Sequence, residues 1–186
     1  MPGQLKIDEQ ALVEKVIAGD RLAFTRLVEP LVPRLLATAQ RILGSQAEAE
    51  DAVQNALASA WIARSRLDPA RPASPIFTTI TLNKCRDRLR RRKAARFLVF
   101  GGNHNLELAW DDTPSAEDEV ADRQALEQTY AGIQHLPTRL QEALVLVTID
   151  GRSQSEAAEL LGTTEKAIET RIYRARKTLR EKLGFA

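Results

Sequence analysis

Apolar residues recur along most of this chain at intervals of three and four, the period that lines up side chains on one face of an α-helix. Phe24, Leu27, Leu31 and Leu35 set up such a stripe, and Ala39 and Ile42 continue it. Asp20 is positioned to cap the start of that helix and Gly44 its end, so one helix is expected between them. Ser45-Gln46-Ala47-Glu48 has the spacing of a capping box, in which serine and glutamate each serve the other's backbone N–H. The helix it opens runs through Val53, Leu57 and Trp61, which are expected to point into a core. Residues 68–75 hold Pro69, Pro72 and Pro75 and are expected to form a loop, because proline lacks the N–H that a helix interior requires. The stretch 76–81 is β-branched enough to suit a strand. Leu82, Cys85 and Leu89 restore helical spacing, and the whole of 76–92 is read as helix. Periodicity resumes with Leu126, Tyr130 and Ile133, breaks at Pro137, and runs on through Leu140, Leu144 and Val147. The pattern predicts an all-α chain.

Charge divides that chain. The formal net charge is only +2 over 186 residues, but the signs are segregated. Residues 84–96 carry eight basic side chains against Asp87 alone, which is expected to pair with a neighbouring arginine. Residues 107–122 carry seven acidic side chains and no basic one. With Gly101, Gly102 and Pro114 nearby, 95–119 reads as a flexible acidic linker between two small helical domains, 12–94 and 120–183.

Several function classes drop out. The single cysteine, Cys85, cannot form an intramolecular disulfide and sits on the apolar face of Leu82 and Leu89, so a core thiol in a reducing compartment is expected. No apolar run approaches the ~18–20 residues of a membrane span, and Met1–Gln10 lacks the pattern of a secretory signal. A cytoplasmic location follows. His104 and His135 stand alone, which argues against a metal site. Neither a nucleophile–base constellation nor a phosphate-binding glycine loop is visible, so no cofactor and no catalytic activity are expected.

The sharpest local signal lies in residues 154–172. A helix-turn-helix needs a small residue where its two helices touch, and Ala158 fills that place. Four residues on it needs a turn residue tolerant of positive φ, supplied by Gly162. Thr163 or Thr164 can cap the second helix, and Ile168 and Ile172, four apart, can bury its inner face. Behind them come Arg171, Arg174, Arg176, Lys177, Arg180 and Lys182, opposed only by Glu181. A charge run is usually a solvated face. Directly behind a helix-turn-helix it is better read as a surface that neutralises phosphates.

At both ends the chain resembles the extracytoplasmic-function (group IV) sigma factors of bacterial RNA polymerase. Leu136-Pro137, Gln141 to Leu146, Asp150 to Ala158, Leu161-Gly162 and Arg171 to Arg180 look like their region 4. Gly19 to Phe24, Ala49 to Gln54, Ala60-Trp61 and Leu82 to Arg91 look like region 2. Asn55 and Leu57 depart from the glutamate and aromatic usual in the family, and Ile76 replaces a common tryptophan.

The resemblance implies a factor that binds core RNA polymerase and promoter DNA under the control of an anti-sigma factor. Asp51, Gln54 and Asn55 would bind polymerase. Asn83, Arg86, Arg88, Arg90 and Arg91, behind the proline-rich loop, would engage the −10 element. At −35, Thr164, Glu165, Lys166, Glu169 and Thr170 are the exposed forward positions, Arg171 and Arg174 would reach a guanine or a phosphate, and Arg176 and Lys177 would contact phosphates. Two alternatives stand beside this reading. A conventional helix-turn-helix regulator would leave the basic 84–96 helix unexplained. A sigma-like decoy in an anti-sigma partner switch is expected to lose the basic residues that this chain keeps.

Overall fold

The computed structural model describes residues 2–100 and 128–183. Helix α1 spans Pro2–Ile17, α2 Arg21–Val28, α3 Val32–Leu43, α4 Gln46–Ile62 and α5 Ala73–Phe100. Helix α6 covers 128–134, followed by α7 Thr138–Leu144, a π-helical turn Val145–Ile149, α8 Gln154–Leu161 and α9 Glu165–Leu183. A short 3₁₀ turn, Arg64–Arg66, follows α4. Among the described residues there is no strand. Most of the segment 95–119, with its acidic run and His104, lies outside the described residues, as does Leu126.

Two compact units result. The first takes residues up to Gln40 together with Ser45–Arg86, and the second takes Arg41–Gly44 and the residues from Asp87 onward.

In the first unit, Asp20 caps α2 by accepting from the N–H groups of Leu22 (2.8 Å) and Ala23 (3.1 Å). The single helix expected between Asp20 and Gly44 is instead two, α2 and α3, divided at Glu29–Leu31. Pro30 lacks an N–H to carry a helix through, whereas Pro33 falls at the second position of α3, where no intrahelical donor is needed. Ser45 Oγ accepts from Glu48 N–H at 3.4 Å and opens α4. The core face of α4 is small rather than large: Ala49, Ala52, Val53, Ala56 and Ala60 are buried. Leu57 and Trp61, expected in the core, are only half-buried. Alanines let neighbouring helices approach closely, and the larger side chains stand at the edge of that contact. Trp61 packs edge-on against Phe24, with ring centroids 5.3 Å apart, and Phe24 lies 6.0 Å from the fully buried Phe77.

Helix α5 starts earlier than the proline-rich loop suggested. Ala73, Ser74 and Pro75 form its first turn, where a missing N–H costs nothing. The free N–H of Ala73 donates to the Glu9 carboxylate at 2.8 Å, so a side chain from α1 satisfies the start of α5. The β-branched stretch 76–81 is helical, with Phe77, Thr78, Thr81, Leu82 and Cys85 buried. Burial along that face outweighs the strand preference of the residue types. The helix continues to Phe100, into the segment read as linker, through good helix formers such as Lys93, Ala94 and Ala95.

In the second unit, α7 and α8 both pack on α9. Ala143, Val145, Leu146, Ala157, Ile168 and Ala175 are fully buried there. Gln141 is also buried, and its amide donates to the carbonyls of Ile42 (3.0 Å) and Arg41 (3.3 Å), which belong to this unit. After the π turn, Arg152 Nε meets the Asp150 carboxylate at 2.7 Å, with both side chains about 5% exposed or less. This inward-turned ion pair braces the bend that leads into α8. Ser153 then caps α8 in a complete capping box with Glu156.

Three substitutions test how this unit is held. Ile168→Ala removes a fully buried side chain and is expected to cost about 2–5 kcal/mol of unfolding free energy. Gly162 has φ 60°, with nothing within 4 Å of an added Cβ, so Gly162→Ala should cost only about 1–2 kcal/mol of backbone strain. Gly162→Asn should cost less, because asparagine tolerates that conformation. Urea denaturation monitored by circular dichroism gives the order, and an alanine at 162 as damaging as one at 168 would contradict it.

Candidate nucleic-acid interface

The most sharply built surface is the helix-turn-helix of α8 and α9. Ala157 and Ala158 let the helices meet, and Gly162 ends α8 in the left-handed conformation. Thr164 then caps α9, its Oγ1 accepting from Ala167 N–H at 3.2 Å. Burial of Ile168, Ile172 and Ala175 sets the rotation of α9 about its axis. The opposite side is left to solvent.

On that side Glu165, Lys166, Glu169, Arg174, Arg176 and Lys177 are exposed, while Thr170 and Arg171 are half-buried. Lys166 Nζ and Glu169 Oε2 lie 2.8 Å apart. The hydrogen bond that Lys166 donates to Glu169, and then the charge of that carboxylate, raise the Lys166 ammonium above the ordinary lysine value. Thr170 Oγ1 donates to Lys166 O at 2.8 Å, and Arg171 donates to Thr163 Oγ1 at 3.4 Å. Lys177 and Glu181 approach to 3.8 Å. Such exposed pairs add little stability, and they leave the charges available to an incoming polyanion. Tyr173 stands among these residues and is 64% exposed, a large aromatic in water that the sequence reading did not single out.

Helix α5 carries the second basic surface and passes from the first unit to the second at Arg86. Asn83, exposed, accepts from Arg86 Nη1 at 2.8 Å in the first unit. In the second, Arg90 meets Asp87 at 3.4 Å, the pairing expected for that lone acid. Arg91 is exposed and Arg88 half-buried.

On α4, Asp51, Gln54 and Asn55 are all exposed, opposite the alanine face. The Asn55 amide donates to the Asp51 carboxylate (3.1 Å) and carbonyl (2.7 Å), so these two act as one polar group. Ile62, 78% exposed at the end of the same helix, was not anticipated. Nor was the setting of Trp61, whose ring lies 4.6 Å from the Arg64 guanidinium and 5.9 Å from that of Arg21. Composition signals neither, because both depend on which neighbours the fold brings together.

Among the described residues no group of three or more His, Cys, Asp or Glu side chains could hold a metal. His135 Nδ1 hydrogen-bonds Ala131 O at 2.6 Å. No described helix is long and apolar enough to cross a membrane.

Comparison with known proteins agrees with this geometry. Residues 27–95 match the Sigma-70 region 2 family, and residues 126–179 match Sigma-70, region 4. The RNA polymerase sigma factor CnrH of Cupriavidus metallidurans is 36% identical over 176 residues, covering 92% of each chain. The ECF RNA polymerase sigma factor SigM of Mycobacterium tuberculosis is 30% identical over 187 residues, covering 98% of this chain and 88% of its own. The solved structure of CnrH in complex with the cytosolic domain of CnrY superposes with a TM-score of 0.70 at 30% identity, covering 95% of this chain and 97% of the other. These relatives are transcription factors rather than enzymes. With region 2 and region 4 matched in order and aligned over nearly their whole length to such relatives, the chain belongs to the extracytoplasmic-function sigma factors, which direct RNA polymerase to promoters.

Proposed function

We propose that the chain works in the cytoplasm, without catalytic activity of its own, dividing promoter recognition between two domains at 12–94 and 120–183. The observation that carries this is α9, a capped helix rotated by its buried isoleucines so that a basic face is left to water. The α4 face of Asp51, Gln54 and Asn55 docks on core polymerase. Asn83, Arg86, Arg88, Arg90 and Arg91 serve the −10 element. The forward residues of α9, Thr164, Glu165, Lys166, Glu169 and Thr170, approach −35 base edges, with Arg171 and Arg174 reaching a guanine or a phosphate. Arg176 and Lys177 hold the flanking phosphates.

An anti-sigma factor is the expected regulator. In support, the relative CnrH has been solved with the cytosolic domain of CnrY bound, and that partner's compartment also favours a cytoplasmic site of action. The direct test is run-off transcription from the chain's own upstream region by core polymerase, with and without this protein. Transcripts that do not depend on the protein would remove the reading.

Asp51→Arg is expected to weaken binding to core polymerase by roughly tenfold while leaving the helical circular dichroism unchanged. Co-purification at wild-type levels would take the α4 face out of the scheme.

On DNA, Arg176→Ala and Lys177→Ala should each weaken binding to all sequences alike. Each should also flatten the log–log salt dependence by about one unit, because one phosphate contact is lost. Filter binding at several salt concentrations measures both effects. A changed sequence preference with an unchanged slope would move these residues from phosphates to bases.

A further inference from the structure

The forward half of α9 does not offer its polar groups equally. Thr164 Oγ1 is engaged by Ala167 N–H, Thr170 Oγ1 by Lys166 O, and Arg171 reaches back to Thr163 Oγ1. Those side chains are partly occupied by the protein itself. Lys166 and Glu169 engage each other, at 2.8 Å, with side chains 82% and 57% exposed. An ammonium has three donors and a carboxylate about four acceptor sites. A single bond between them therefore leaves donors on one and acceptors on the other, side by side and facing water. The pair sits in the first two turns of the helix, where helix-turn-helix proteins meet base edges.

The major groove contains a matching arrangement. Guanine shows O6 and N7 as acceptors, and its paired cytosine shows N4 as a donor. O6 and N4 are themselves joined by a base-pairing hydrogen bond, so they stand about 2.9 Å apart. The Lys166–Glu169 separation is nearly the same. An A·T pair is a poorer match: its acceptors, adenine N7 and thymine O4, lie on either side of the N6 donor, and a methyl group flanks O4. Guanine alone sets two acceptors together for one ammonium.

We propose that Lys166 and Glu169 read a single G·C base pair of the −35 element as one unit, Lys166 donating to guanine O6 and N7 while Glu169 accepts from cytosine N4. This rests on the reading of α9 as the −35 helix. It also gives Glu169 a purpose on a surface where an unmatched carboxylate would oppose phosphate binding. An ordinary exposed ion pair three residues apart would show no base preference.

The test uses the full-length chain with core polymerase on a promoter library randomised at −35. It compares the unaltered protein with Lys166→Ala, Glu169→Ala and the double variant. The unaltered protein should select G·C at one position. Each single variant should lose that preference by about tenfold and keep selection elsewhere. The double variant should lose no more than either single, because both side chains serve one pair. The proposal is overturned if the two variants act at different positions, if their effects multiply, if the selected pair is A·T, or if selection does not change. A lack of any −35 selection by the unaltered protein would overturn the reading of α9 as well, which separates the two failures.

Discussion

The close approach of α8 to α9 is the constraint on which the DNA-facing half of this molecule depends. It needs side chains no larger than a methyl group at Ala157 and Ala158 and a left-handed residue at Gly162. Given those, Ile168, Ile172 and Ala175 can bury together, and the rotation of α9 has no freedom left. A larger residue at the contact would push the helices apart and turn the exposed face away from its direction. The direction of the exposed face of α9 therefore rests on the residues packed beneath it.

Charge on these surfaces is arranged on two length scales. Basic side chains along α9 and α5 raise the local positive potential and act over about 10 Å at moderate salt. Short pairs such as Lys166–Glu169 and Arg90–Asp87 subtract from that potential, yet they present donors and acceptors at fixed separations. The inward pair Asp150–Arg152, by contrast, is buried. Its place is the bend before α8, where losing either partner would strand a charge away from water. The exposed pairs keep donors and acceptors open to water, while the Asp150–Arg152 pair serves the fold.

In the first unit the same economy of size appears on α4. Its inner face is nearly all alanine, which gives up bulk so that helices can approach, and its outer face is free for Asp51, Gln54 and Asn55. Trp61 and Phe24 close the edge of that contact, and Trp61 is flanked by Arg21 and Arg64. A small domain cannot bury every large side chain. Here the tryptophan is shared between core and surface.

The sequence alone determined the all-α class, the caps at Asp20 and Ser45, a cap at Thr163 or Thr164, and the helix-turn-helix register around Ala158 and Gly162. Those features depend on local geometry: a cap, a turn or a buried stripe is set by residues within a few positions of each other. Charge segregation also marked the basic run of α9, much of which is exposed, while Asp51 and Asn83 were singled out by the family resemblance and are likewise exposed. What it could not decide were matters settled between distant residues. Residues 73–75 entered α5 with Glu9 reaching across to its first N–H, whereas the break of the expected single helix at Pro30 has a local cause that the apolar stripe concealed. The stretch 76–81 is helix, as its spacing indicated, but the core that Phe77, Thr81 and Leu82 face is built by other elements. Trp61 stayed half-exposed because alanines took the centre of the contact. Which side chains on α9 are engaged and which stand ready likewise followed from the tertiary fold. Burial of the isoleucines chose the outward face, and hydrogen bonds back to the backbone and turn chose among the residues on it.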